Sequence, residues 1–222
     1  MEIRTAFHKR LREIQDDILA MGSMVEKATT RSIEALKTRD LVLAHQIIED
    51  DRKINQRRFE IEEKCVQLIA TQQPMASDLR IIISVLSITS ELERIGDHAE
   101  GIAKITVMIG NEPPLKPLID IPRMAEKTNS MLRRSLEAFV NRDAEAARQI
   151  TAEDDEVDSL YNQVFRELLT FMLEDPKTIT RATRLIWVAH NLERSADRVT
   201  NICERVVFLV TGHMQETNIS YY

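Results

Sequence analysis

The chain has 222 residues, 43% of them hydrophobic and 30% charged, with only five glycines, six prolines and a formal net charge of −6. A chain of that length holds one large or two small cores, and so few turn-formers with so much charge favour long amphipathic helices over strands. The negative balance argues against broad binding to a nucleic-acid phosphate backbone, and no apolar run approaches the roughly 18 residues of a membrane span.

The start, MEIRTAFHKRLREIQDD, lacks the apolar core of a signal peptide, so a cytoplasmic chain is expected. In the first helix Ile3, Phe7, Leu11, Ile14, Ile18, Met21, Val25, Ala28, Ser32 and Ala35 recur in steps of four and three, the seam of a bundle helix. Asp40 is placed to cap a second helix running to about Thr71. The turn TQQPMASD follows, with Pro74 blocking continuation and Ser77 or Asp78 capping a third helix to about Ile109. GNEPPLKPLID, with three prolines, is the one convincing linker. Beyond it a fourth helix spans roughly Ile121 to Val140, a fifth runs to about Leu173 before the turn EDPKT, and a sixth follows.

The second set of helices repeats the first. NRDAEAARQI mirrors TRDLVLAHQI, with Asp143 standing 103 residues after Asp40. The expected architecture is therefore all-α, two repeated three-helix bundles of six long antiparallel helices. The units are residues 1–110 and 121–213, joined by 111–120 and followed by a tail, 214–222. Cys65 and Cys203 stand apart in helical patterns and read as buried free thiols of a reducing compartment. Met21, Met24 and Met131 read as gap-filling core, Trp187 as core, and His98 as surface.

The repeats also share an acidic pattern, L-E-R-x-x-D. Glu93 and Asp97 lie on one stripe of the third helix with Leu86, Glu100, Lys104 and Val107; Glu193, Asp197, Thr200 and Glu204 form the second copy's stripe. If each helix pair folds back at its proline turn, Glu93 and Asp97 stand level with Asn55 and Asp51, and Glu193 and Asp197 with Asp158 and Asp154. Unpaired carboxylates are costly against a core, so these acids are surface ion pairs with Arg94, Arg194 and Arg198, or they hold cations. Carboxylates without cysteine or systematic histidine favour iron, manganese, magnesium or calcium. His190, on nearly the same face as Glu193, is left out of the site as a lone histidine.

The stretches LERIGDHAEGIAKI and NLERSADRVTNICERVV, two such units in one chain, resemble the PhoU family over nearly all 222 residues. That resemblance implies a non-enzymatic, metal-binding accessory protein of the high-affinity phosphate ABC transporter, which represses the phosphate-starvation regulon when phosphate is replete. It also implies contacts with the transporter's ATPase subunit and with a sensor histidine kinase, and a homodimer. Metal clusters, iron first with zinc and the cations above as alternatives, are implied at Glu93 and Asp97 and at Glu193 and Asp197. Asp51, Asp154 and Asp158 match the family's facing acids, and Asn201 and Glu204 continue the second motif. The first motif departs from the pattern: Gly101 and Lys104 replace its Asn and Glu, and Asn55 stands where the second repeat has Asp158. The second cluster is therefore expected to bind metal more tightly.

Other readings are a PhoU-like partner of another phosphate carrier, a plain helical scaffold, or a di-iron carboxylate oxidase or ferritin-like store. The last needs Glu-x-x-His motifs, and no histidine of this chain has an acid three residues before it.

Overall fold

The computed structural model describes residues 2–214, with side chains from residue 7 onward. The Ile3 side chain and positions 215–222 of the expected tail lie outside that range. The helices are α1 (Glu2–Thr38), α2 (Leu41–Gln72), α3 (Ser77–Ile109), α4 (Asp120–Asn141), α5 (Ala144–Thr151), α6 (Asp154–Glu174) and α7 (Ile179–Thr211), with a 3-10 turn at Pro176–Thr178. No strand occurs among the described residues, and none of these helices is long and apolar enough to cross a membrane.

The expected single fifth helix is interrupted, becoming α5 and α6. Asp154, Asp155 and Glu156 crowd the first turn of α6, where carboxylates are favoured by the helix dipole. The first repeat has Asp51, Arg52 and Lys53 there, two cations that would oppose an N-terminus, and α2 runs through unbroken. Just before the break, Glu153 takes both guanidinium arms of Arg134 at 2.7 and 2.6 Å and Lys127 at 2.6 Å.

The duplicated turns match closely. Arg39 and Arg142 both adopt left-handed backbone, with φ of 58° and 54°. Asp40 then accepts from Leu43 N, and Asp143 from Glu145 N and Ala146 N, satisfying amides that a helix start leaves open. At the start of α3 the outcome differs: the cap residue is Ala76 and Ser77 is already helical, so neither Ser77 nor Asp78 caps by its side chain.

The repeats share one core. A contiguous apolar cluster runs from Phe7 of α1 to Leu209 of α7 and includes Leu92 and Leu192, both fully buried. α1 crosses α4 so closely that a Cβ on Gly22 would strike Leu136, and Asn129 Nδ2 donates to Thr30 Oγ1 at 3.1 Å across the same crossing. α3 and α7 run antiparallel, Ser84 meeting Arg205 and Glu91 meeting Asn201. Cys65, Cys203, Met21 and Met131 are buried as expected. Trp187 is not core: it is 49% exposed, because its position on α7 falls between the faces turned to α3 and to α6.

α4 matches only the second half of α1. Asp120, at its start, is buried and accepts from Gln163 Nε2 at 3.2 Å. Asp17, 103 residues earlier, pairs in the same place with Arg57 and Lys64. Where the first half of α1 covers α2, the linker covers α6, and its Lys116 reaches Glu167.

Candidate functional site

The hairpin geometry brings the acids together in each repeat. Around Asp51 of α2 lie Glu93, Asp97 and Glu100 of α3; around Asp154 of α6 lie Asp158 of the same helix and Glu193 and Asp197 of α7. Burial, reinforced by Glu100, Asp97 and Glu93, pushes the Asp51 carboxyl up to about 6. Asp97 is exposed, and is still raised, by partial desolvation first and by Glu93 and Glu100 next.

In the second repeat burial acts more strongly. Asp154, only 2% exposed, is pushed up to about 7 by desolvation and then by Asp158, Asp197 and Glu193. Glu193 also rises to about 7, from burial and then from Asp197 and Asp158. Asp158 and Asp197 are raised by burial as well, Arg194 and Arg198 opposing the rise at Asp197.

Cations already compensate much of this charge. Arg58 Nη1 donates to Glu93 at 2.7 Å, Arg194 Nη1 to Asp197 at 2.7 Å, and Lys104 Nζ to Glu100 at 2.6 Å. Asp51 Oδ2 accepts from Asn55 at 2.6 Å, while its Oδ1 is buried with no hydrogen bond. Glu193 Oε2 is also buried without a well-formed hydrogen bond, although His190 Nδ1 lies 3.2 Å away.

The donor chemistry suits a hard cation: oxygens only, clustered, and held at raised pKa by one another and by burial. The side chains as they stand do not close on one. Among the described residues no group of three or more His, Cys, Asp or Glu is arranged to hold a metal ion. The two observations agree once the arginines are counted, because Glu93 on one side and Asp197 on the other would have to leave Arg58 and Arg194 to turn toward a common centre.

Three candidates sit at the margins. Glu100 belongs to the first cluster but is engaged by Lys104. Glu204 lies 3.9 Å from Arg205. Asn201 faces the seam between α3 and α7, where its Nδ2 donates to Glu91 Oε2 at 3.2 Å.

That seam explains one departure of the first motif, Gly101. Glu91 meets Arg198 at 3.6 Å and Asn201; 100 residues on, Asn191 meets His98 and Gly101. A Cβ on Gly101 would stand 2.9 Å from Asn191 Oδ1, so the room an asparagine would need there is taken by Asn191. His98, expected at the surface, is packed into this seam; burial pushes its pKa down to about 4 and leaves Nε2 without a partner. Arg58 is not among the residues expected at the first cluster; it lies in the run RKINQRRF, whose helix-spaced basic residues resemble an ordinary solvated face. Its level opposite Glu93 in the hairpin was the available signal.

A family model described as PhoU domain matches residues 18–106 and again 121–206. The chain belongs to the PhoU family. A phosphate-specific transport system accessory protein PhoU homolog of Clostridium acetobutylicum is 40% identical over 216 residues, 97% of this chain and 99% of the relative. Its counterpart from Aquifex aeolicus is 39% identical, over 93% of each chain. The crystal structure of the phosphate transport system regulatory protein PhoU from Streptococcus pneumoniae superposes with a TM-score of 0.87 at 34% identity, covering 94% of this chain and 99% of that one. PhoU from Pseudomonas aeruginosa gives 0.88 at 37% identity, over 93% and 100%. The two PhoU matches fall on the two helical repeats, one either side of the proline-rich linker.

Proposed function

We propose that this PhoU protein is a cytoplasmic, non-enzymatic adaptor of phosphate uptake. It acts with the ATPase subunit of a phosphate ABC transporter and with a sensor histidine kinase, and it represses the phosphate-starvation response when phosphate is replete. The observation carrying this reading is the end-to-end similarity to phosphate-transport accessory proteins, 40% over 97% of the chain. A homodimer is part of the same proposal. The adaptor works by holding a partner conformation at high phosphate and releasing it at low phosphate, which requires different affinities for the two partner states.

The carboxylate clusters are proposed to take metal ions, iron first, with zinc, manganese, magnesium and calcium as the competing occupants. Asp51, Glu93, Asp97 and Glu100 would serve the first site, and Asp154, Asp158, Glu193 and Asp197 the second. Bound cations would neutralise the clustered acids and brace α2 against α3 and α6 against α7. The buried, hydrogen-bond-free Asp51 Oδ1 and the raised carboxyls of Asp154 and Glu193 support this reading. The proposed sites are unequal, because Lys104 stands at the first where the second has Glu204.

Co-purification of the full chain with the phosphate-transporter ATPase tests the adaptor reading. Retention of the ATPase, and derepression of the starvation response when the chain is deleted, are expected. Failure to retain the ATPase, with the kinase present or absent, would sink the assignment.

A further inference from the structure

The shortened α4 leaves a cavity that takes no part in the carboxylate sites. In the first repeat the early turns of α1 bury Phe7, Leu11 and Ile14. The second repeat has only the linker in the equivalent place, and Glu112 to Leu118 roof a cavity of about 240 Å3. Beneath the roof meet the ends of α1 and α3 and the first turns of α7. The floor is aliphatic, formed by Leu36, Ile109 and Leu185, with Leu115 closing from above.

The mouth is cationic. Arg181 is tied to the linker, its Nη1 donating to Pro113 O at 3.2 Å and its Nε standing 3.8 Å from Glu112, which Arg184 also holds at 3.3 Å. Lys37 reaches only Glu34, at 4.0 Å, and Arg39 makes no ion pair or side-chain hydrogen bond among the described residues. The last carbonyls of α1 and α3 bring partial negative charge, which Lys37, in the last turn of α1, offsets. Two cations without close partners therefore stand over a cavity whose floor rejects charge.

We propose that this cavity binds a small amphipathic anion: an aliphatic or aromatic body carrying a carboxylate, sulfonate or phosphate head. Burial of the body supplies the affinity, and Lys37 and Arg39 decide the sign of the head. Arg39, in left-handed backbone at the α1–α2 turn, lines the cavity beside Lys37. The site stands apart from the adaptor reading and survives its failure.

The test is a titration of octanoate into the full chain, followed by methyl NMR, with octylammonium as the charge-reversed probe and phosphatidylglycerol vesicles as the lipid-surface arm. Octanoate is expected to shift the methyls of Leu36, Ile109, Leu115 and Leu185 saturably, and octylammonium to leave them in place. The double variant Lys37→Glu/Arg39→Glu, at two exposed positions, should weaken octanoate at least about tenfold and admit octylammonium. Leu115→Trp, which fills the cavity, should abolish octanoate shifts with an unchanged circular dichroism spectrum. Equal shifts from both probes, undiminished binding in the double variant, or no saturation at about 10 mM octanoate would overturn the proposal. So would vesicle binding without octanoate binding, which would make the patch a membrane-facing surface.

Discussion

Opposite Glu93 the first repeat carries Arg58 and Asn55 on α2; opposite Glu193, at the positions 103 residues on, the second carries Tyr161 and Asp158 of α6. The backbone frame is nearly the same, yet Glu93 accepts from a guanidinium at 2.7 Å, while Glu193 faces more carboxylate, with His190 Nδ1 at 3.2 Å and Arg194 turned to Asp197. The duplication preserved where the acids converge and changed what compensates them. The first repeat turns Arg58 and Lys104 onto its cluster; the second turns Arg194 onto Asp197 and leaves the carboxyls of Asp154 and Glu193 raised to about 7.

The largest effects should come from the core the repeats share. Leu92→Ala and Leu192→Ala, both at fully buried positions, should each cost about 2–5 kcal/mol. Because the cluster is contiguous, each variant should still melt in a single transition by circular dichroism and calorimetry. A two-step melt, with only the mutated half lost first, would break the picture of two repeats in one core.

The pH response separates the clusters next. An acid raised in the folded state binds protons more tightly than in the unfolded chain, so its stabilisation is full below the unfolded pKa and is lost as pH rises through the folded one. With Asp154 and Glu193 near 7 and Asp51 near 6, the metal-free protein should lose stability between about pH 4 and pH 7, the three acids outweighing His98, whose lowered pKa of about 4 acts the other way over the lower part of that window. The melting temperature should fall by about 5 °C or more across that window. Glu193→Gln should flatten the upper part of the curve more than Asp51→Asn does. A profile rising with pH, or one indifferent to both substitutions, would contradict the assigned environments.

A smaller effect tests the seam. Gly101→Asn should cost about 1–3 kcal/mol, because the new side chain meets Asn191. Asn201→Gly, at the equivalent position, should cost about 1–2 kcal/mol through its lost hydrogen bond to Glu91 and the added backbone freedom. Denaturant midpoints of the two variants measure this, and a stabilising Gly101→Asn would refute the steric account.

Periodicity exposed most of this architecture, because long amphipathic helices write their buried face into the chain every three or four residues. The caps at Asp40 and Asp143 were legible for the same reason, since capping is local chemistry. The break between α5 and α6 was not, because it depends on how three acids at one helix start weigh against two cations in the other repeat. Trp187 was misplaced by hydropathy and His98 by its angle away from the acidic stripe: the aromatic is left half exposed, and the imidazole is drawn into the α3–α7 seam. The convergence of acids could be read from hairpin register. The pairing of Asp197 with Arg194, three residues before it on the same helix, could be read as well; that of Glu93 with Arg58 could not be chosen among many possible partners, because it crosses from one helix to the next.

The most direct measurement is metal content and affinity, by equilibrium dialysis with iron, manganese and zinc, for the wild-type chain and for Glu93→Ala/Asp97→Ala and Glu193→Ala/Asp197→Ala. The second double variant should lose the tighter-bound metal and the first the weaker. Lys104→Glu in the otherwise wild-type chain should narrow the gap between the sites. Equal losses from the two double variants, or no metal bound by the wild-type chain, would contradict the account.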